Sequence, residues 1–133
     1  MLVVDAGVLV VALVDDGADG ERAREALRRE TLSAPELIDL EVTSVFRRLL
    51  RNGSLSATRA GQALDDLVDL PLQRASHRAL LGHCWELRDN LTSYDASYMA
   101  LAEALEFPLL TTDARLAHAP GMLCTVEVLT PES

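Results

Sequence analysis

Lysine is absent from this chain, and all twelve basic residues are arginine. That excludes Schiff-base catalysis. It also excludes a Walker-type phosphate loop, whose glycine pattern is missing as well. Cysteine is scarce: Cys84 and Cys124 are far apart and form no CxxC pair. With no disulfide framework, a reducing, intracellular compartment is expected. The three histidines, His77, His83 and His118, have no zinc-ligand spacing and read as surface or helix residues. No apolar run approaches the ~20 residues that cross a bilayer. The N-terminal run Leu2-Val3-Val4 has no basic flank and is cut by Asp5, which argues against a signal peptide. The expected location is the cytoplasm, with no membrane partner. Positive charge is also in deficit. The net charge of −9 means that overall charge cannot drive binding to nucleic acid, which needs arginine or lysine at its phosphates. A local arginine patch and metal ions would have to do so, and an acidic surface also suits a basic protein partner.

What is present suits one packed domain over residues 1–133: 49% of residues are hydrophobic. Leu2–Val4 reads as a short buried strand and Val8–Val14 as a helix. Asp15–Gly20 reads as a turn by composition, and Glu21–Glu30 as an exposed helix. Thr31–Ala34 reads as a second strand stopped by Pro35, which opens a helix at its first turn. Ile38, Val42, Val45, Phe46 and Leu49 form that helix's apolar stripe, and Asn52-Gly53 ends it. Ser56 caps a helix to about Leu70, and Pro71–Arg74 is a third strand. Ser76–Arg88 reads as helical with Leu80, Leu81, Cys84 and Leu87 inward. Ser93–Leu105 is another helix, Leu109–Thr111 a strand, Ala114–Ala117 a short helix and Leu123–Val128 the last strand. Strands alternating with helices mean an α/β fold with a mostly parallel sheet. Ligands in such folds bind beyond the carboxyl ends of the strands.

Four acids stand where apolar elements should not carry them. Asp5 and Asp113 end hydrophobic runs, and each could simply cap the helix after it. Glu41 lies beside the stripe of the helix after Pro35, three residues from Ile38 and four from Val45. Asp39 lies on the other edge of that stripe, and helical geometry alone does not choose between them. Asp95 points with Tyr98, Met99 and Ala102, although Thr92 and Asp95 also fit a capping box. Two strand ends and two helix faces that pack on the same sheet would bring these carboxylates together, and their repulsion would require a cation. Hard cations such as Mg2+ take oxygen ligands and keep several waters. They polarise phosphates and acidify water, so phosphodiester cleavage is the expected chemistry. Thr111 or Thr112 could present a hydroxyl there.

The chain resembles a PIN-domain ribonuclease of the VapC toxin type. The resemblance rests on Leu2-Val3-Val4-Asp5-Ala6, on Ala34-Pro35-Glu36-Leu37 followed by Glu41, on Leu91-Thr92-Ser93-Tyr94-Asp95-Ala96, and on Leu110-Thr111-Thr112-Asp113-Ala114-Arg115-Leu116. It covers essentially the whole chain. It implies a PIN-like three-layer fold, with a mostly parallel sheet of about five strands flanked by helices. It also implies an endoribonuclease dependent on Mg2+ or Mn2+, with Asp5, Glu41, Asp95 and Asp113 as catalytic and metal-binding acids. The match places Glu41, rather than Asp39 or Glu36, in the site and gives Thr111 a supporting polar role. Homodimerisation and inhibition by a cognate antitoxin are implied too, the antitoxin placing a C-terminal segment, often with a basic residue, at the acids. Arg47, Arg48, Arg51 and Arg115 are candidate contacts to RNA phosphates. Exposed apolar residues on the helix pair after Pro35 are the expected dimer surface. One departure stands out: many members carry Ser or Thr two residues after the first Asp, where this chain has Gly7, so a hydroxyl near the metal is missing.

Three rival readings differ in what they require. A response-regulator receiver needs an Asp on a middle strand and a late lysine, and neither exists. A haloacid-dehalogenase-like phosphatase needs DxD after the first strand, where Asp5-Ala6-Gly7 stands. A PIN-like fold kept as a catalytically silent binding module would show no metal-dependent cleavage at all.

Overall fold

The computed structural model describes residues 1–121 and 123–130. Five parallel strands form one sheet in the order β3-β2-β1-β4-β5. They are β1 (Leu2–Val4), β2 (Leu32–Pro35), β3 (Leu72–Ala75), β4 (Leu109–Thr111) and β5 (Val126–Val128). Among the described residues six α-helices flank them: α1 (Ala6–Val14), α2 (Ala18–Leu27), α3 (Ile38–Arg51), α4 (Ala57–Asp69), α5 (Leu81–Glu86) and α6 (Ser93–Leu105). The expected α/β class and sheet are therefore observed. Every residue of β1, β2 and β4 is buried, whereas β3 and β5 at the two edges are only partly so. Central strands of a parallel sheet are covered on both faces, which is why they read as unbroken apolar runs.

The chain builds outward from β1 to β2 and β3, then returns to lay β4 on the other side of β1. This reversal opens a crevice beyond the carboxyl ends of β1 and β4, the usual ligand position in such sheets. α1 packs with α2, α3 and α4, while α6 packs with α5 and lies on β1, β2 and β4. Ala96 through Ala102 of α6 are all buried. A helix apolar on every side belongs inside, and its small residues Ala96, Ser97, Ala100 and Ala102 allow a close approach to the sheet.

Several local expectations need correction. Asp15–Gly20 is not a turn throughout: α2 already begins at Ala18. The Asp15 carboxylate accepts the N–H groups of Gly17 at 2.8 Å and Gly20 at 3.1 Å, so this segment caps a helix start. Pro35 does not open a helix. It is the last residue of β2, in register with Ala75, and Glu36 supplies the next N–H to the Ala75 carbonyl at 2.8 Å. A proline is tolerated where the ladder stops needing donors. β3 runs one residue later than expected, over Leu72–Ala75. The segment Ser76–Arg88 is not one helix but a 3-10 turn, Arg78–Leu80, leading into α5. The tighter turn changes the helical phase, so Cys84 and Leu87 are buried while Leu81 is exposed. The last strand is Val126–Val128 only, and Leu123 is exposed.

Candidate active site

Asp5 follows β1 directly and N-caps α1, its Oδ1 accepting the Val8 N–H at 3.0 Å. Its other oxygen accepts a hydrogen bond from the Thr111 hydroxyl at the end of β4. Thr111 is fully buried, and its oxygen in turn accepts the Asp113 N–H at 3.0 Å. One hydroxyl thus ties together the acids that leave the two central strands. Burial pushes the Asp5 carboxyl above its usual range. The Thr111 and Val8 bonds oppose that shift, and the charges of Asp95 and Glu41 add to it.

Glu41 stands at the start of α3, where the helix leaves the carboxyl end of β2, and its Oε1 accepts the Tyr98 hydroxyl at 2.6 Å. Burial raises its pKa, the tyrosine lowers it, and Asp95 raises it again. Asp39, the competing acid on the other edge, points elsewhere: Arg74 Nε donates to it at 2.7 Å. Asp95 sits in the first turn of α6, where its own N–H donates to the Thr92 cap at 3.1 Å. Burial and then the charge of Asp113 hold its carboxyl above the usual range. Asp113 behaves oppositely. It caps a short 3-10 turn, Ala114–His118, and accepts Arg115 guanidinium bonds at 2.6 and 3.0 Å. That guanidinium lowers its pKa.

The four expected acids therefore lie within electrostatic reach of one another around the crevice, coupled Asp5 to Glu41 and Asp95, Glu41 to Asp95, and Asp95 to Asp113. Arg115 is at the site. Arg47, Arg48 and Arg51 are exposed further along α3, about 9, 10 and 15 Å of helix rise beyond Glu41. Tyr98 was not anticipated as a site residue. It is buried, and its hydroxyl is pushed well above the ordinary tyrosine value by burial and by its bond to Glu41. The available signal was its place one turn after Asp95 on the same helix face. Thr112 is exposed. Its hydroxyl oxygen would collide with a Cβ on residue 7, so a side chain there needs the exposed Thr112 to turn aside.

The donors around the crevice are all oxygens, which suits a hard divalent cation. Three of the four carboxyls are held above their usual range partly by each other's charge, which an added cation would relieve. Among the described residues, however, no group of three or more His, Cys, Asp or Glu is arranged to hold an ion, and Asp113 is turned to Arg115. The donor set fits an ion bound directly by one or two carboxylates and through water by the others, the habit of Mg2+. A separate cavity of about 690 Å³ lies by Leu32 and Pro71 at the amino ends of β2 and β3, away from these acids.

The sequence profile of the PIN domain matches residues 2–122. Ribonuclease VapC1 of Mycobacterium tuberculosis is 43% identical over 128 residues, covering 96% of each chain. Ribonuclease VapC9 of the same organism is 40% identical over 129 residues, covering 97% of this chain and 98% of that one. In solved structures the same fold occurs in VapBC2 from Rickettsia felis bound to a promoter DNA fragment. The TM-score is 0.69 at 15% identity, with 96% of this chain and 97% of that chain covered. The chain belongs to the PIN-domain family, in its VapC branch. No described helix is long and apolar enough to cross a membrane.

Proposed function

We propose that this protein is a Mg2+- or Mn2+-dependent endoribonuclease, the toxin of a toxin–antitoxin pair. The observation that supports it most is the arrangement of Asp5, Glu41, Asp95 and Asp113 around the β1/β4 crevice, three of them charge-coupled and held above their usual range. The relatives at 40–43% identity are named ribonucleases. These four acids would hold the cation, which when bound supplies charge neutralisation at a phosphate and an acidified water. Thr111 fixes the orientation of Asp5, and Tyr98 that of Glu41. Thr112 adds a second hydroxyl at the rim. Arg115 exchanges Asp113 for a phosphate oxygen of the RNA, and Arg47, Arg48 and Arg51 meet phosphates further along the strand. In-line attack of water with departure of the 3′ oxygen leaves a 5′ phosphate and a 3′ hydroxyl.

A cognate antitoxin fits the charge. A basic segment entering the crevice would satisfy the acids and complement the net −9. A homodimer would cover the exposed apolar side chains Leu50, Leu64 and Val68 on α3 and α4. The reading predicts a cytoplasmic protein.

The test incubates purified, partner-free protein with total cellular RNA and Mg2+ or Mn2+, beside EDTA and Asp95→Asn controls, with circular dichroism to verify folding. Discrete fragments that disappear in both controls establish the activity, and end mapping reads the target. A folded protein that cuts nothing with either metal would turn the assignment to a silent binding module.

A further inference from the structure

The chain has one tryptophan, two tyrosines and two phenylalanines, and two of these aromatics stand in solvent: Trp85 at 68% and Tyr94 at 64% exposure. Both line one cavity of about 450 Å³, together with Leu37, His77, Leu81 and Ser97. Tyr94 immediately precedes Asp95. With Leu37 it also lines the adjoining hollow of about 500 Å³ that contains Glu41, so the aromatic cavity lies next to the acids. Arg88 places its guanidinium carbon 4.6 Å from the centre of the Trp85 ring. One ring face is thereby taken by a cation.

Folding does not explain two large solvent-facing rings beside a set of acids. RNA binding does. With no lysine and a net charge of −9, phosphate contacts rest on a few arginines, and stacked bases would add to that affinity. Single-stranded RNA is gripped by stacking unpaired bases on exposed aromatics and on arginine planes. We infer that the cavity between Trp85 and Tyr94 is a nucleobase subsite. It receives one unstacked base of single-stranded RNA beside the phosphate at the acids, with His77 also lining the subsite. This rests on the ribonuclease reading of the neighbouring acids, but its binding step can be measured apart from cleavage.

Trp85 is itself the probe. In EDTA, where no cleavage competes, its fluorescence is followed while a single-stranded hexaribonucleotide is added, with an abasic hexamer of the same phosphate number as control. Saturable quenching by the base-bearing strand alone is expected. Tyr94→Ala should weaken binding roughly 5- to 150-fold, the loss of one stacked base, and added salt should leave that ratio nearly unchanged. Both rings are exposed, so Tyr94→Ala and Trp85→Ala leave the core intact. Equal quenching by the abasic strand, or unchanged affinity of Tyr94→Ala by quenching and of Trp85→Ala by the anisotropy of a dye-labelled hexamer, overturns the subsite. So does a sedimentation shift from dimer to monomer in the variants with RNA affinity unchanged, which would make this face an interface between copies. Quenching without cleavage in any metal would sink the nuclease reading and leave the subsite standing; cleavage without quenching would do the reverse.

Discussion

Thr111→Val removes one hydroxyl from the centre of the site and changes almost no volume. In the wild-type protein that hydroxyl donates to the Asp5 carboxylate and accepts the Asp113 N–H at 3.0 Å. A bond to a charged group contributes about 1.5–3 kcal/mol and a neutral one about 0.5–1.5 kcal/mol. Burying the new methyl returns about 0.8 kcal/mol, so Thr111→Val should cost about 1–4 kcal/mol. In an Asp5→Asn background the charged share disappears, and the same change should cost only about 1 kcal/mol. The coupling between the two positions is then on the order of 1–2 kcal/mol. Urea unfolding of the four proteins in EDTA at pH 7 measures it, each slope being compared to confirm unchanged two-state behaviour. Equal costs of Thr111→Val in both backgrounds would refute the inference that this hydroxyl acts on the Asp5 charge. Cleavage by Thr111→Val should fall at least tenfold, because the orientation of Asp5 and Asp113 depends on this one group.

Gly7→Ala should change stability by no more than about 1 kcal/mol, since the added Cβ meets only the hydroxyl end of the exposed Thr112 side chain and alanine gains about 0.5–1 kcal/mol over glycine in a helix. The same change should be more stabilising in a Thr112→Ala background, and thermal unfolding that shows equal effects in both backgrounds would reject the collision. The pH dependence of stability should contain a contribution from His83, which bonds Glu86 on α5 and Glu103 on α6. These partners, Glu86 first and Glu103 after it, raise its pKa above 6.5. The protonated form is therefore favoured by folding: the contribution is fully present below the unfolded value and is lost as pH rises through the folded one. His83→Gln should flatten the stability profile from 6.5 upward, as read by denaturant midpoints across pH, and an unchanged profile would exclude the linkage.

Much of this protein is determined locally and is therefore legible in the sequence. Leu2–Val4 and Leu109–Thr111 are apolar on successive residues because central parallel strands are buried on both sides, and each is followed by an acid that caps what comes next. Capping is one expectation for Asp5 that the structure shows, one oxygen accepting the Val8 N–H, while the other accepts from Thr111 on the neighbouring strand. Pro35 and Leu81 were misread because proline position and helical phase depend on neighbours: on the register with β3 in one case, on a 3-10 turn in the other.

Asp39 and Glu41, between which the family resemblance favours Glu41, differ most in their tertiary contacts. Both lie at edges of the same helical stripe, and periodicity weighs them equally. Only the fold brings Arg74, from the end of β3, to Asp39, and Tyr98, from α6, to Glu41. Charge coupling falls off with distance through space, and the sequence separations involved, 35 and 57 residues, carry no information about that distance. The same holds for Thr112 filling the hole at Gly7 and for Trp85 and Tyr94 sharing one cavity. Residue types and local periodicity set which chemistry the chain could hold, while the reversal of strand order at β1 and β4 decided which groups meet.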